Sequence, residues 1–144
     1  MRRIFIIRKD LQLSAGKLAA MVAHCAEGYW TRLIARHVVG EVLGENVWRT
    51  ECIDIDKDIF EQYIRGSFVK TICEAKNLNQ LLKAKRMAED MGMVEETDFG
   101  LINDRCLTEL TPENEDGTTT VGVWFKPLPD EIAHQISKKY QLYK

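Results

Sequence analysis

Residues 4–24 read IFIIRKDLQLSAGKLAAMVAH, and this stretch decides the fold because it joins a strand to a helix. Residues 4–7 form a short apolar run without alternation, which is the pattern of a strand covered on both faces. Ser14 can then cap a helix, because apolar residues recur after it at spacings of three and four as far as Leu33. The chain is therefore predicted to open with a buried strand followed by an amphipathic helix.

The rest of the chain continues as alternating helices and strands. Gly40 and Gly44 break the first helix, and residues 47–55 fit either a loop or an extended segment. Capping residues, helix-ending glycines and β-branched runs predict helices at residues 56–66, 77–92 and 129–140, and strands at residues 68–73, 99–102 and 118–125. Two connections that contain helices predict parallel crossovers, whereas the short connection before the last strand predicts an antiparallel pairing. We therefore predict an α/β fold with one domain over residues 1–144, in three α/β/α layers around a mixed, mostly parallel four-stranded sheet.

Length and composition exclude several classes of protein. A chain of 144 residues has the size of one domain, and no stretch approaches the ~20 apolar residues that cross a bilayer. A formal net charge of −2 argues against coating of nucleic acid by bulk electrostatic attraction. The run at residues 4–7 is too short for the centre of a signal peptide, so we expect a cytoplasmic protein with no membrane partner. The four cysteines lie 21 to 33 residues apart, which favours free thiols over a disulfide framework or a zinc site.

The turn into the first helix is the first candidate site. Open α/β sheets bind ligands beyond the carboxyl ends of their parallel strands, and this turn falls there. Gly16 and Lys17 weaken the first helical turn, since glycine costs roughly 0.5 to 1 kcal/mol against alanine and a cation opposes the helix dipole. A sequence that keeps both residues is suited to a close backbone approach and to an anion beside exposed N–H groups. The alternative is an ordinary surface lysine.

Two further candidates share that end of the sheet. His24 lies seven residues after Lys17, so it returns to nearly the same helix face about 10 Å along the axis; the alternative is a core histidine. Asp104 follows a predicted strand, with Thr108 four residues later, and such a pair can orient water, although aspartate is also a good turn former. We therefore expect Lys17, His24 and Asp104 to face one cleft. The sequence has no phosphate-cradling glycine motif, paired-cysteine metal site or G-x-S-x-G turn.

Segments near the N-terminus resemble a known family signature. IIRKDL at residues 6–11, SAGKLAA at residues 14–20 and the pair Ala23 and His24 are similar to the signature of the type II peptidyl-tRNA hydrolases, the archaeal and eukaryotic kind. The resemblance covers most of the chain, continuing more loosely through residues 66–73, 81–92, 104–108 and 117–129.

The resemblance implies a fold, a reaction and a set of site residues. The fold is a mixed four-stranded sheet flanked by helices, and the reaction is hydrolysis of the ester that joins a peptide to the terminal ribose of tRNA, without a metal or a cofactor. Such enzymes are usually dimeric, so the expected partners are peptidyl-tRNA and a second copy of the chain. The residues implied to form or border the active site are Lys17, His24, Asp104, Thr108 and Thr120.

The chemistry of ester hydrolysis assigns a role to each of these residues. The reaction needs a positioned water, stabilisation of an oxyanion and a hold on the nucleic acid backbone. We assign the anion contact, to phosphate or oxyanion, to Lys17 and the orientation of water to Asp104 or His24. Thr108 and Thr120 are expected to supply supporting hydrogen bonds.

The chain departs from the family pattern at three positions and in two segments. Met21 stands where the family commonly has glutamine, and Cys106 and Leu107 stand where it has glycine and arginine. Residues 40–55 look inserted, and the acidic loop at residues 113–116 looks longer.

These departures keep two alternatives open. One is a non-catalytic module on the same fold that binds tRNA, a nucleotide or a protein. The other is a hydrolase of a different ester or amide, with the acidic loop excluding tRNA. A basic rim around Lys17 would favour tRNA, whereas an apolar pocket would favour a small substrate.

Overall fold

The elements of the fold follow the predicted order, with an additional hairpin and an additional short strand. The computed structural model describes residues 1–144. In chain order the elements are β1 (Arg2–Arg8), α1 (Ala15–Arg36), β2 (Val38–Glu41), β3 (Trp48–Thr50), a π-helical segment (Ile59–Ser67), β4 (Val69–Ala75), α2 (Leu78–Asp90), β5 (Phe99–Asp104), β6 (Thr119–Phe125), α3 (Asp130–Ser137) and β7 (Gln141–Leu142).

The main sheet has five strands in the order β5-β6-β1-β4-β7, and the hairpin β2-β3 forms a separate two-stranded sheet. β1 is parallel to β4, whereas β6 is antiparallel to both of its neighbours and β7 is antiparallel to β4. The predicted mixed sheet and the antiparallel pairing of β6 are confirmed. Two details of the prediction are corrected: β7 adds a fifth strand, and β1-β4 is the one parallel pair because β6 lies between β1 and β5.

Three strands nevertheless point in the same direction. β5 is antiparallel to β6, which is itself antiparallel to β1, so β1, β4 and β5 all end at one edge of the sheet. The turn into α1 leaves from this edge, and Asp104 is the last residue of β5. The topology thus places the start of the first helix beside the exit of β5, as the sequence predicted.

Two hydrophobic cores lie on opposite faces of the sheet. β1 contributes to both, since Ile4 and Ile6 pack with α2 and α3 whereas Phe5 and Ile7 pack with α1. These four side chains are fully buried, and burial of each such side chain contributes about 1.5 to 3 kcal/mol. The three-layer arrangement is therefore confirmed, and residues 4–7 are the doubly covered strand that their apolar run predicted.

The first helix, α1, forms one wall of a cleft beside the exit of β5. Ser14 caps it, since its Oγ accepts a hydrogen bond from the Lys17 N–H at 3.3 Å. Its buried residues recur at helical spacing and are Met21, Cys25, Gly28, Tyr29 and Leu33. The helix ends at Arg36, before the break predicted at Gly40, because the following residues pair in the hairpin β2-β3. None of the helices combines the length and the apolar character that crossing a bilayer requires.

Gly28 of α1 and Gly100 of β5 leave the space that the Trp124 ring fills. A Cβ atom on either glycine would lie 2.6 Å from that ring, a separation that real Cβ atoms essentially never show. Trp124 is fully buried against both backbones. The two glycines are therefore required by packing, and they let α1 and the sheet share one aromatic contact.

Candidate active site

Three polar side chains meet at the carboxyl edge of the sheet. Lys17 Nζ donates hydrogen bonds to Asp104 Oδ2 at 2.7 Å and to Thr108 Oγ1 at 3.2 Å. Only 14% of the Lys17 side chain and 10% of the Asp104 side chain are exposed. We call these three residues the lysine cluster. Because an ammonium group has three N–H bonds, the cluster leaves one of them for another acceptor.

Asp104 is held as a carboxylate. Its burial favours the neutral acid, but the hydrogen bonds from Lys17 and from the Cys106 N–H outweigh that effect and hold the pKa of Asp104 below its ordinary value. His24 is close enough for its charge to add to the lowering of this pKa. The carboxylate is therefore ionised throughout the neutral range, where it can accept hydrogen bonds from water.

Cys106 occupies a backbone position that suits a glycine. Its φ angle is 57°, in the left-handed region that side chains disfavour. Its N–H donates to Asp104 Oδ1 at 2.9 Å, so this turn positions the carboxylate. Its Sγ atom lies 3.4 Å from Thr119 Oγ1. Glycine would adopt the same conformation without strain.

The lysine cluster lies in a cleft of about 610 Å³ between α1 and the exit of β5. Along α1, the lining residues Lys17, His24, Glu27 and Thr31 recur at spacings of seven, three and four, so one face of the helix forms that wall. Of the twelve lining residues only three are apolar. His24 is exposed in this cleft, so it is not the core histidine of the alternative interpretation.

Thr120 lies behind the cleft. It is buried, and its hydroxyl donates to Asn103 Oδ1 at 2.8 Å, while Asn103 itself lines the cleft. The structure therefore brings four of the five predicted site residues into one cleft and connects Thr120 to it through Asn103. This connection leaves the amide nitrogen of Asn103 as the group that can donate to a bound molecule.

Eight of the twelve cleft residues are absent from the predicted set, and four of these eight carry a charged or amide side chain: Glu27, Arg32, Asn103 and Arg105. Helical periodicity identifies Glu27, since it lies one turn beyond His24 on the same face. Arg105 follows Asp104 directly, so the rule that ligands bind at strand exits also applies to it. No comparable signal marks Arg32, because its place depends on how α1 packs on the sheet. With Lys17, the two arginines give the cleft a basic rim, in which Lys17 and Arg32 are paired with carboxylates and Arg105 forms no ion pair.

The acidic loop at residues 113–116 is held against the sheet by Arg8. The Arg8 side chain is only 4% exposed and forms a bidentate pair with Glu113, at 2.5 and 3.0 Å, and a second pair with Asp10. Burial of Arg8 opposes its ionisation, but hydrogen bonds to Glu113 and Asp10 raise the pKa of Arg8 above its ordinary value. Arg8 and Glu113 therefore neutralise each other, and Arg8 is buried and does not line the cleft.

None of the four cysteine thiols belongs to the lysine cluster. All four are free, as their spacing predicted. Burial raises the pKa of Cys25 to about 12, so its thiol is protonated and a poor nucleophile at neutral pH. No group of three or more histidine, cysteine, aspartate or glutamate side chains is arranged to hold a metal ion.

Known proteins resemble the chain over almost its full length. The family model described as peptidyl-tRNA hydrolase PTH2 matches residues 1–143. The peptidyl-tRNA hydrolase of Thermoplasma acidophilum is 28% identical over 141 residues, which cover 98% of this chain and 97% of the relative. That of Thermococcus onnurineus is 27% identical over 144 residues, with coverages of 98% and 96%. That of Methanopyrus kandleri is 30% identical over 119 residues, with coverages of 83% and 78%.

Proposed function

The chain belongs to the peptidyl-tRNA hydrolase PTH2 family, and on this premise we propose that it hydrolyses the ester between a peptide and the terminal ribose of tRNA. The products are the free peptide and free tRNA. The observation that carries the proposal is the lysine cluster, in which a cation and a carboxylate lie 2.7 Å apart inside a polar cleft with a basic rim. A cation at an oxyanion position and a carboxylate that orients water are the two groups that hydrolysis of an ester by water requires.

Lys17 is proposed to stabilise the oxyanion. Attack of water on the ester carbonyl moves negative charge onto the carbonyl oxygen, and the third Lys17 N–H is the donor that neither Asp104 nor Thr108 uses. The hydrogen bonds to these two residues fix the ammonium group before the substrate arrives. A preorganised charge of this kind is worth roughly 100- to 1000-fold in rate.

Asp104 is proposed to orient the attacking water and to accept its proton. Water adds to the carbonyl carbon, the bond from that carbon to the ribose oxygen breaks, and the ribose oxygen takes up a proton as it leaves. The net reaction consumes one water and gives a peptide carboxylate, a tRNA hydroxyl and one proton. Because its pKa is lowered, Asp104 is a weak base, and we infer that most of the rate comes from positioning of the water and from Lys17.

The remaining predicted residues support this centre. Thr108 fixes the Lys17 ammonium through its hydroxyl. The Thr120 hydroxyl donates to the Asn103 amide oxygen, which leaves the amide nitrogen to donate to the substrate. His24 lies in the cleft without touching Lys17 or Asp104, and we assign it to substrate contact instead of proton transfer.

The test of the proposed function is release of free tRNA when the purified chain is incubated with peptidyl-tRNA. Activity that persists in the presence of EDTA would support hydrolysis without a metal, which the resemblance implies. Free tRNA that accumulates only at the uncatalysed rate, at every protein concentration, would contradict the proposal.

We also propose that the chain forms a homodimer and works in the cytoplasm. A groove between α1 and β4 is lined mainly by apolar side chains, among them Phe5, Leu18, Val22 and Ile72, and we propose that a second copy of the chain covers it. The four free cysteines suit a reducing compartment. Light scattering should give twice the mass of one chain, and Val22→Asp should halve it. A single-chain mass for the unaltered protein would contradict the proposed homodimer.

One observation favours a non-catalytic tRNA-binding module as the second candidate. Leu107, which stands where the family has arginine, lines the cleft and is 83% exposed. An exposed leucine carries no charge that binds a phosphate or assists catalysis. Binding of peptidyl-tRNA without hydrolysis would identify the module.

A further inference from the structure

The cleft extends well beyond the lysine cluster. Lys17 and Arg32 both line it and are fifteen residues apart on α1, which corresponds to about 22 Å along the helix axis. A stacked strand of nucleic acid advances about 3.4 Å per nucleotide, so this length accommodates several nucleotides. Ester hydrolysis at the lysine cluster occupies one end of the cleft. It gives no role to Glu27, Arg32 or Arg105, which also line the cleft.

We propose that this remaining length binds the unpaired nucleotides that precede the ester in tRNA, with Arg32 and Arg105 contacting their phosphates. The inference rests on the proposed function and deepens it, because it names the residues that select a tRNA ester over other esters. The two arginines replace the charge that is absent at Leu107.

Arg32 is held in place but is free to exchange its partner. Its guanidinium lies over the Trp124 ring at 5.9 Å from the centroid, and Gly28 and Gly100 are the residues that admit this ring. The Arg32 Nε atom also donates to Glu96 Oε2 at 2.7 Å, in a pair whose side chains are 38% and 55% exposed. An exposed pair of this kind contributes little to stability, so a phosphate can replace the carboxylate at small cost.

Arg105 contributes from the opposite wall. It is exposed at the exit of β5, directly after Asp104, and it forms none of the ion pairs of the structure. An unpaired guanidinium beside the reacting ester is placed to contact the phosphate nearest to the terminal ribose.

Glu27 indicates where in the cleft a base, and not a phosphate, is placed. Its carboxylate lines the cleft between His24 and Arg32 and repels phosphates. The phosphates are therefore expected beside Arg105 and Arg32, and a base is expected beside Glu27, where the carboxylate accepts hydrogen bonds from exocyclic amino groups such as that of cytosine.

The experiment compares two substrates that carry the same peptide. One is peptidyl-tRNA and the other is the peptidyl ester of adenosine, which has the reacting ester but no phosphates. The variants are Arg32→Gln and Arg105→Gln, with Arg32→Lys as the charge-retaining variant. Lys83→Gln, on α2 across the sheet, is the matched control for loss of one positive charge.

Each glutamine variant should lower kcat/KM for peptidyl-tRNA by roughly five- to tenfold at low salt and leave kcat/KM for peptidyl-adenosine unchanged. Each should also reduce the slope of log kcat/KM against log salt by about 0.7, the value for one phosphate contact on a single strand. Arg32→Lys should keep most of the slope, and Lys83→Gln should keep all of it.

Two results would overturn the inference. Equal losses on both substrates would mean that the groove holds the peptide, and no loss on either would mean that the arginines contact nothing in the substrate. If the unaltered chain hydrolyses neither substrate, the proposed function fails, and the salt dependence of tRNA binding by the same variants still tests the groove.

Discussion

Lys17 and Asp104 are 87 positions apart in the sequence, yet the Nζ atom of one lies 2.7 Å from the Oδ2 atom of the other. The contact exists because β1, which leads into α1, and β5, which ends at Asp104, finish at the same edge of the sheet. The sheet topology that buries β1 therefore also brings the cation and the carboxylate of the candidate site together.

The first prediction concerns acid stability. A carboxyl whose pKa is lowered on folding contributes stability at pH values above its unfolded pKa, about 3.9 for aspartate, and this contribution is lost as the pH falls through the folded value. Asp104 is such a group. At pH 7, Asp104→Asn should therefore have a smaller free energy of unfolding in urea than the unaltered chain, and the gap should close as the pH falls below about 4. A gap that is constant with pH would show that the ion pair does not stabilise the fold.

The second prediction concerns the pH dependence of catalysis. If ionised Asp104 orients the water, kcat/KM should stay level from neutral pH down to the region where this carboxyl takes up its proton, because its pKa is lowered. His24→Asn should leave the shape of the profile unchanged. A fall in rate across the range where histidines ordinarily titrate, abolished in His24→Asn, would assign the base to His24 instead.

The third prediction concerns the turn after Asp104. Cys106 has a φ angle of 57°, where a side chain costs roughly 1 to 2 kcal/mol and glycine costs little. Cys106→Gly should therefore be more stable than Cys106→Ala by about 1 kcal/mol, since both variants lose the Sγ contacts and only alanine keeps the strain. Urea unfolding of the two proteins measures the difference. Equal stabilities would mean that the left-handed conformation carries no cost here.

The fourth prediction compares two glycines on one helix. A Cβ at Gly28 would meet the Trp124 ring at 2.6 Å, whereas a Cβ at Gly16 would meet nothing within 4 Å. Gly28→Ala should therefore lower stability by about 1 to 3 kcal/mol through overpacking, and Gly16→Ala should raise it by roughly 0.5 to 1 kcal/mol through helix propensity. Thermal unfolding should shift in opposite directions. A shift of the same sign in both variants would contradict the packing described for Trp124.

The fifth prediction concerns the space above Gly16. Because nothing in the protein occupies that space, the open backbone is available to the substrate at the start of α1. Gly16→Ala should raise KM for peptidyl-tRNA severalfold while it stabilises the fold. A more stable variant with an unchanged KM would leave Gly16 without a role in binding.

The predictable part of the fold and of the site is the part that depends on local patterns. The apolar run at residues 4–7, the Ser14 cap and the helix face that carries Lys17 and His24 are periodic signals, and the structure contains them. Asp104 is identifiable as a candidate site residue because it follows a predicted strand. These signals require no knowledge of which strands are neighbours.

The unpredicted part depends on how elements pair. The two-residue strand β7 is too short to leave a pattern, and its pairing with β4 joins residues that are far apart in the sequence. Thr120 lies opposite Asn103 because an irregularity shifts the β5-β6 register after Ile102, which redirects the side chains that follow. Arg32 lies over Trp124, whose ring fits between two glycines from different elements. None of these relationships is local in sequence.

The most direct test of the central claim is kcat/KM for release of free tRNA from peptidyl-tRNA, measured for the unaltered chain, Lys17→Ala and Lys83→Ala under identical conditions. Circular dichroism melts of all three proteins establish that they are folded. We expect Lys17→Ala to be folded and its kcat/KM to be roughly 100- to 1000-fold lower, because it lacks the charge that stabilises the oxyanion. The kcat/KM of Lys83→Ala should equal that of the unaltered chain. A folded Lys17→Ala variant that hydrolyses peptidyl-tRNA at the unaltered rate would contradict the claim.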